Sequence, residues 1–270
     1  QRYNNPLKVD IPAHIDFGCD VLVTMMLQYS SQCDSFAHMG QLFDADEDGI
    51  PEIRYYNGYK GGEDVVGPVI YGDDGKQTPV DEPMGAKKLG IDTFAEHGVV
   101  GRGNLVNLFD VVGRERKLVG YDVLMQAMED QKVAPEEGDL MFFYTGFADV
   151  ILDAGKSPTR EQMHETCATL DGRDDKLLNW ITDTGIASMI ADNYAAEQPP
   201  ARPAPGKTYA NSPLHQHCLF KLGVPLGEIW YLTELAQWLK ANNRTRFFAT
   251  WQPIRLPGAV GSPANGVAIV

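Results

Sequence analysis

The sequence predicts an α/β domain, and three observations predict it. Strand-like runs of β-branched and aromatic residues alternate with helix-spaced apolar positions. No repeat of fixed period interrupts that alternation, which excludes a solenoid. The 270 residues, 43% apolar and 10% aromatic, are enough to bury one large core. The whole of 1–270 is therefore read as a single domain, with a loop-rich insertion at about 43–90.

The elements follow in order. Asp20 to Leu27 is rich in β-formers and reads as a first strand, delivering 28–38 to its end. Phe43 to Gly90 is rich in Gly, Asp and Pro, the composition of loops and short strands in a lid-like excursion. Gly98 to Gly103 reads as a glycine-rich turn, followed by an apolar run from Asn104 to Phe109. Tyr121 to Gln131 has helical spacing through Val123, Leu124, Ala127 and Met128. Asp139 to Gly146 is a buried strand ending in a small-residue turn, and Leu177 to Thr184 a helix stopped by Gly185. Ile186 to Asp192 is a strand whose end presents Asp192 and Asn193, and the proline-rich 197–205 is a rigid loop. His215 to Leu222 and Glu234 to Ala241 read as helices, Val224 to Ile229 and Arg246 to Trp251 as strands, and Gly258 to Asn265 as a closing loop.

Charge narrows the function classes. With 23 Lys and Arg against 37 Asp and Glu, the net charge of −14 repels nucleic-acid backbones and anionic lipid. The apolar run from Val21 to Leu27 falls well short of the roughly 20 residues of a membrane-spanning helix, so a soluble protein is expected, without nucleic-acid or membrane partners. Cys19, Cys33, Cys167 and Cys218 lack CxxC spacing and read as free thiols. A cytoplasmic location is expected; the chain opens at Gln1 without a Met, as a trimmed chain does, which leaves export open.

Chemistry concentrates in Gln28-Tyr29-Ser30-Ser31-Gln32-Cys33-Asp34-Ser35-Phe36-Ala37-His38. In extended geometry Gln28, Gln32, Asp34 and His38 are evenly spaced and share one face. Asp34 is the natural oxygen ligand for a divalent cation, Gln28 and Gln32 offer neutral amide oxygens, and the imidazole of His38 suits a general base. The bland alternative is a hydrogen-bonded turn. Two other motifs carry less. Asp44-Ala45-Asp46-Glu47-Asp48-Gly49 opens like an EF-hand loop, but Tyr55 stands where the bidentate glutamate belongs, so it reads as a solvated acidic turn. Gly101-Arg102-Gly103 is too short for a dinucleotide fingerprint; Arg102 either orients an anionic substrate or makes a structural ion pair.

The segment from Gln28 to His38 resembles, in register, the HxGTHxDxPxH signature of the cyclase-type metal-dependent hydrolases, the family that includes kynurenine formamidase and isatin hydrolase, and in particular its glutamine-bearing branch. The likeness continues through 98–103, 138–146, Ala191-Asp192-Asn193 with Glu197 as a later pocket edge, 213–228 and 256–263. It implies a swivelling β/α/β-type domain around a mixed sheet, paired into a homodimer or higher homo-oligomer. It also implies one or two divalent ions per chain, Zn or Mn, and hydrolysis of an amide, cyclic imide or lactone in a small-molecule substrate. On this resemblance His38 is the catalytic histidine, and Asp34, Glu228 and His215 are metal ligands, with Gln28 and Gln32 standing where other members carry histidines. His217 rivals His215, because the family's histidine falls at the place of Gln216 and the helix must absorb a one-residue offset. Tyr144, Thr145 and Asn193, with Arg102, are expected to line the substrate site. A polyketide-type cyclase or dehydratase and a catalytically silent ligand-binding homologue are the alternatives.

Overall fold

The computed structural model describes residues 2–4, 20–67, 69–71, 77–79, 81, 83–155, 157–206 and 208–270. Cys19 lies outside them, and Cys33, Cys167 and Cys218 are free and buried. Seven strands close into a mixed barrel: β1 (Gln32–Asp34), β2 (Val99–Asn107), β3 (Leu140–Tyr144), β4 (Ser188–Ala191), β5 (Leu226–Glu228), β6 (Arg246–Pro253) and β7 (Gly261–Ile269). Their spatial order is β2-β3-β4-β5-β1-β7-β6, with β6 closing on β2. β2 to β5 run parallel, and β1, β7 and β6 complete the ring by antiparallel pairing.

Alternation along the strands sends side chains into two cores. Leu105, Phe142, Tyr144, Ile190, Phe247 and Trp251 fill one, together with Ile91, Ala236 and Leu239 from two helices. Val106, Met141, Phe143, Met189 and Leu226 face the other, under helices α1 (Tyr121–Gln131) and α2 (Asp175–Thr184). Burial on both faces explains why β3 reads as an unbroken apolar run, Leu-Met-Phe-Phe-Tyr. No helix among the described residues is long and apolar enough to cross a membrane.

Three expectations are corrected. The residues after Gly98 are strand rather than turn, because β2 starts at Val99. Its glycines serve close packing: a Cβ on Gly103 would strike the Phe247 ring at 2.5 Å. The expected closing loop is largely β7, whose Gly261, Ser262 and Pro263 pair with Asp34, Cys33 and Gln32. The first strand spans only Asp20–Leu22, and beyond it Val23, Met25 and Met26 are exposed. The excursion after Phe43 holds short antiparallel ladders, among them Gln41–Phe43 with Glu52–Arg54 and Val65–Val66 with Gly85–Ala86.

Candidate metal and catalytic site

The register of β1 against β5 builds the centre of the site. Glu228 pairs with Gln32 and Leu226 with Asp34. Side chains two apart on a strand share a face, so Gln32, Asp34 and Glu228 all stand on the face that Leu226 turns toward the helical layer. Of the four evenly spaced residues, Gln32 and Asp34 lie on a strand. Gln28 and His38 reach the same place through turns, the second closed by His38 N–H donating to Ser35 O at 3.0 Å. A strand of three residues is too short to carry all four on one extended face.

The lid over this face is a helix of two windings. Pro213–His215 is α-helical, and Gln216–Leu222 continues as a π-helix. A π turn holds an extra residue, and such insertions concentrate at functional sites. Here it lies between His215 and Glu228, where the resemblance required a one-residue offset to be absorbed. His215 Nε2 consequently lies 2.9 Å from Glu228 Oε1. His217 turns elsewhere, its Nε2 meeting the Thr182 hydroxyl at 2.9 Å.

The polar contacts form two chains that face each other across Asp34 and His215. Gln28 Nε2 donates to Asp34 Oδ1 at 3.0 Å and lies 3.1 Å from His38 Nδ1. Gln32 Nε2 donates to Glu228 Oε2 at 2.8 Å. On its far side His215 Nδ1 is 2.8 Å from Glu197 Oε1. Both glutamines thus give their amide hydrogens to carboxylates. Asp34 Oδ2 and Gln32 Oε1 are buried with no hydrogen-bond partner among the described residues. Asp34 Oδ2 lies 3.9 Å from His215 Nε2 and 4.0 Å from His38 Nε2, and Asp34, His38 and His215 offer donor atoms within 4.8 Å of one another.

Electrostatics follow from that burial. Desolvation pushes the Asp34 carboxyl up to about 6; Glu228 adds to the rise, while His38 and His215 oppose it. Burial alone would lower the His215 imidazole, but its bonds to Glu197 and Glu228 outweigh this and hold it well above the usual range. Burial would likewise raise Glu228, yet the His215 contact keeps it below the ordinary carboxylate value.

The remaining expected residues are committed to other contacts. Arg102 bonds Asp139 at 2.8 Å and Glu136 at 2.9 Å, an ion-pair network at the opposite end of β3 from Tyr144. The Tyr144 hydroxyl donates to Asp149 at 3.0 Å. Thr145 joins the donors around buried Asp192, its hydroxyl at 2.7 Å. Asn193 Nδ2 donates to Ala168 O, its Oδ1 is buried with no partner among the described residues, and its backbone oxygen accepts from Ile229 N–H at 3.1 Å. In the acidic turn the carboxylates of Asp44 and Asp48 accept backbone N–H groups, and Glu52 pairs with Arg54. Sequence reasoning gave Glu197 no chemical role; a lone glutamate before prolines has no spacing signal, and only the fold brings it to His215.

No protein-family model matches the sequence, and no curated protein does. Among solved structures, one described as a novel cyclase is 26% identical, aligning with 95% of this chain and 72% of its own at a TM-score of 0.70. Isatin hydrolase A from Labrenzia aggregata, solved bound to benzyl benzoate, aligns with 67% of this chain and 65% of its own at 12% identity and a TM-score of 0.49. A structure described as a potential metal-dependent hydrolase with cyclase activity aligns with 99% and 86% of the two chains at 14% identity and a TM-score of 0.48.

Proposed function

We propose, from the fold this chain shares with a solved cyclase and from the cluster around Asp34, that it is a metal-dependent hydrolase opening an amide, cyclic imide or lactone of a small cyclic or aryl substrate. The observation that carries the reading is Asp34 Oδ2, a fully buried carboxylate oxygen without a hydrogen-bond donor among the described residues, 3.9 Å from His215 Nε2 and 4.0 Å from His38 Nε2. Leaving such an oxygen unpaired is costly, and a divalent cation is the partner that the Asp34 oxygen and the His215 nitrogen jointly suit. The donor set therefore fits the metal the resemblance implies.

Asp34, His215 and Glu228 would hold the ion, with Gln32 Oε1 as a neutral oxygen beside them. When bound, a divalent cation supplies Lewis-acid polarisation of a carbonyl and lowers the pKa of water. The protein's own residues do the rest. His38, with its side chain 25% exposed, is the member of the cluster that solvent and substrate reach, and Nε2 is the atom at which it exchanges protons. It takes a proton from water and returns one to the leaving nitrogen or oxygen.

Gln28 conditions that transfer. An amide N–H only donates, so its contact to Nδ1 leaves the neutral ring with its proton on Nε2. Accepting a proton at Nε2 requires Gln28 to turn its amide and present Oε1 to a protonated Nδ1, which also releases Asp34 Oδ1. Phe36 and Tyr56, with ring centroids 4.9 Å apart beside the segment, supply flat apolar surface for a planar substrate.

The test is a screen of formanilides, cyclic imides, isatin and lactones against the protein loaded with zinc or manganese. Turnover that is lost in Asp34→Ala and in chelator is expected. Cation binding without turnover of any class would favour the silent ligand-binding alternative, and the use of glutamine at positions 28 and 32 is the observation behind that rival.

A further inference from the structure

Glu197 is 1% exposed and sits where three donors converge. Its Oε2 accepts from the Leu214 N–H at 3.0 Å, its Oε1 from the His215 N–H at 2.9 Å, and Oε1 lies 2.8 Å from His215 Nδ1. The backbone on either side of it is pinned: Leu170 N–H donates to Ala196 O at 3.0 Å and Gln198 N–H to Leu170 O at 3.3 Å. Gly172 leaves room for the carboxylate, since a Cβ at that position would collide with Glu197 Oε2.

From this geometry we infer that Glu197 is a positioning residue of the site, fixing His215 so that Nδ1 donates to Glu197 and Nε2 is the nitrogen given to the cation. The inference rests on the metal-binding reading above. A carboxylate is required because all three partners are donors and only an acceptor-only group with two oxygens satisfies them together. Glutamine is no equivalent, because one end of its amide would turn N–H groups toward another donor. Carboxylates that orient a ligating histidine in this way typically contribute 10-fold to 100-fold in metal affinity.

The experiment measures Zn²⁺ affinity by chelator competition in the parent chain, in Glu197→Gln, in His215→Ala, and in the double variant. Glu197→Gln is expected to weaken Zn²⁺ binding by roughly 10-fold to 100-fold. In the His215→Ala background the same change is expected to have no further effect, because Glu197 acts through that ring. Side-chain ¹⁵N spectra of the Zn²⁺-loaded protein are expected to show His215 protonated at Nδ1. If Glu197→Gln does not fold, Gly172→Ala crowds the carboxylate from its other side and is expected to lower affinity in the same direction. Unchanged affinity in a folded Glu197→Gln overturns the inference, as does an equal loss in the His215→Ala background, which would confine Glu197 to holding the helix. A parent protein that binds no Zn²⁺ overturns the metal-binding reading itself.

Discussion

Asp34 Oδ2 stands 3.9 Å from His215 Nε2, too far for a hydrogen bond, although Asp34 is fully buried and that oxygen has no partner among the described residues. A cation between them relieves this. Elemental analysis is expected to find one or two divalent ions per chain, and Asp34→Ala to lose them. Full retention in that variant would remove Asp34 from the ligand set.

Removing that charge has a second consequence. Burial raises the folded Asp34 pKa from 3.8 to about 6, so between these values the folded state holds a proton that the unfolded chain releases. His215 is shifted in the same direction, well above 6.5, and its contribution is lost as pH rises through the folded value. Asp34 makes the cation-free protein less stable as pH rises from about 4 to about 6, and His215 adds to the loss only above about 6.5. Asp34→Asn is therefore expected to raise the cation-free Tm at pH 7 relative to the parent and to flatten its fall with pH. Thermal unfolding in excess chelator measures both.

His38→Ala is expected to lower turnover on the order of 10²-fold with metal content unchanged, the usual contribution of a general acid–base group. Metal analysis of the same sample decides the role, since a parallel loss of ions would make His38 a ligand.

His215 and His217 are to be separated by paired substitution. His215→Ala is expected to weaken cation binding to an affinity that chelator competition still reads, whereas His217→Ala loses the partly exposed bond to Thr182, about 1 kcal/mol of stability, with metal affinity retained. Equal metal loss in both variants would contradict the assignment of His215.

Gln28→His combined with Gln32→His tests what the amides do. Imidazole suits zinc better than an amide oxygen, so the double variant is expected to bind zinc more tightly if both positions face the ion. The N–H donation of Gln28 to Asp34 and of Gln32 to Glu228 sets the opposite limit. Chelator competition showing weaker zinc binding in a folded double variant would mark the glutamines as clamps on the carboxylates.

The legible parts of the molecule were those with local signals. The α1 boundaries follow from helical spacing between Gly120 and Lys132, and the β3 run from its apolar length. Misreadings arose where one residue type serves two purposes. Glycine in 98–103 was taken as turn chemistry, while Gly103 is small because Phe247 lies on it across the β2–β6 pairing. Val23, Met25 and Met26 read as part of the first strand but lie beyond its end and exposed, since β-forming composition gives no information about which backbone has a partner. Within the site, the even spacing of Gln32 and Asp34 was informative because both are on β1; the arrival of Gln28 and His38 depends on turns whose shape composition does not encode.

The wide winding of 216–222 gives the site a tolerance of one residue in chain length. Deleting one residue there removes the extra residue and lets the helix relax to ordinary winding, with His215 kept on the face shared with Asp34 and Glu228. Inserting a residue instead exceeds what one wide winding holds, and each residue of slippage turns what precedes it by about 100°. A relative whose histidine stands one residue nearer the glutamate therefore reaches the same place with an ordinary helix.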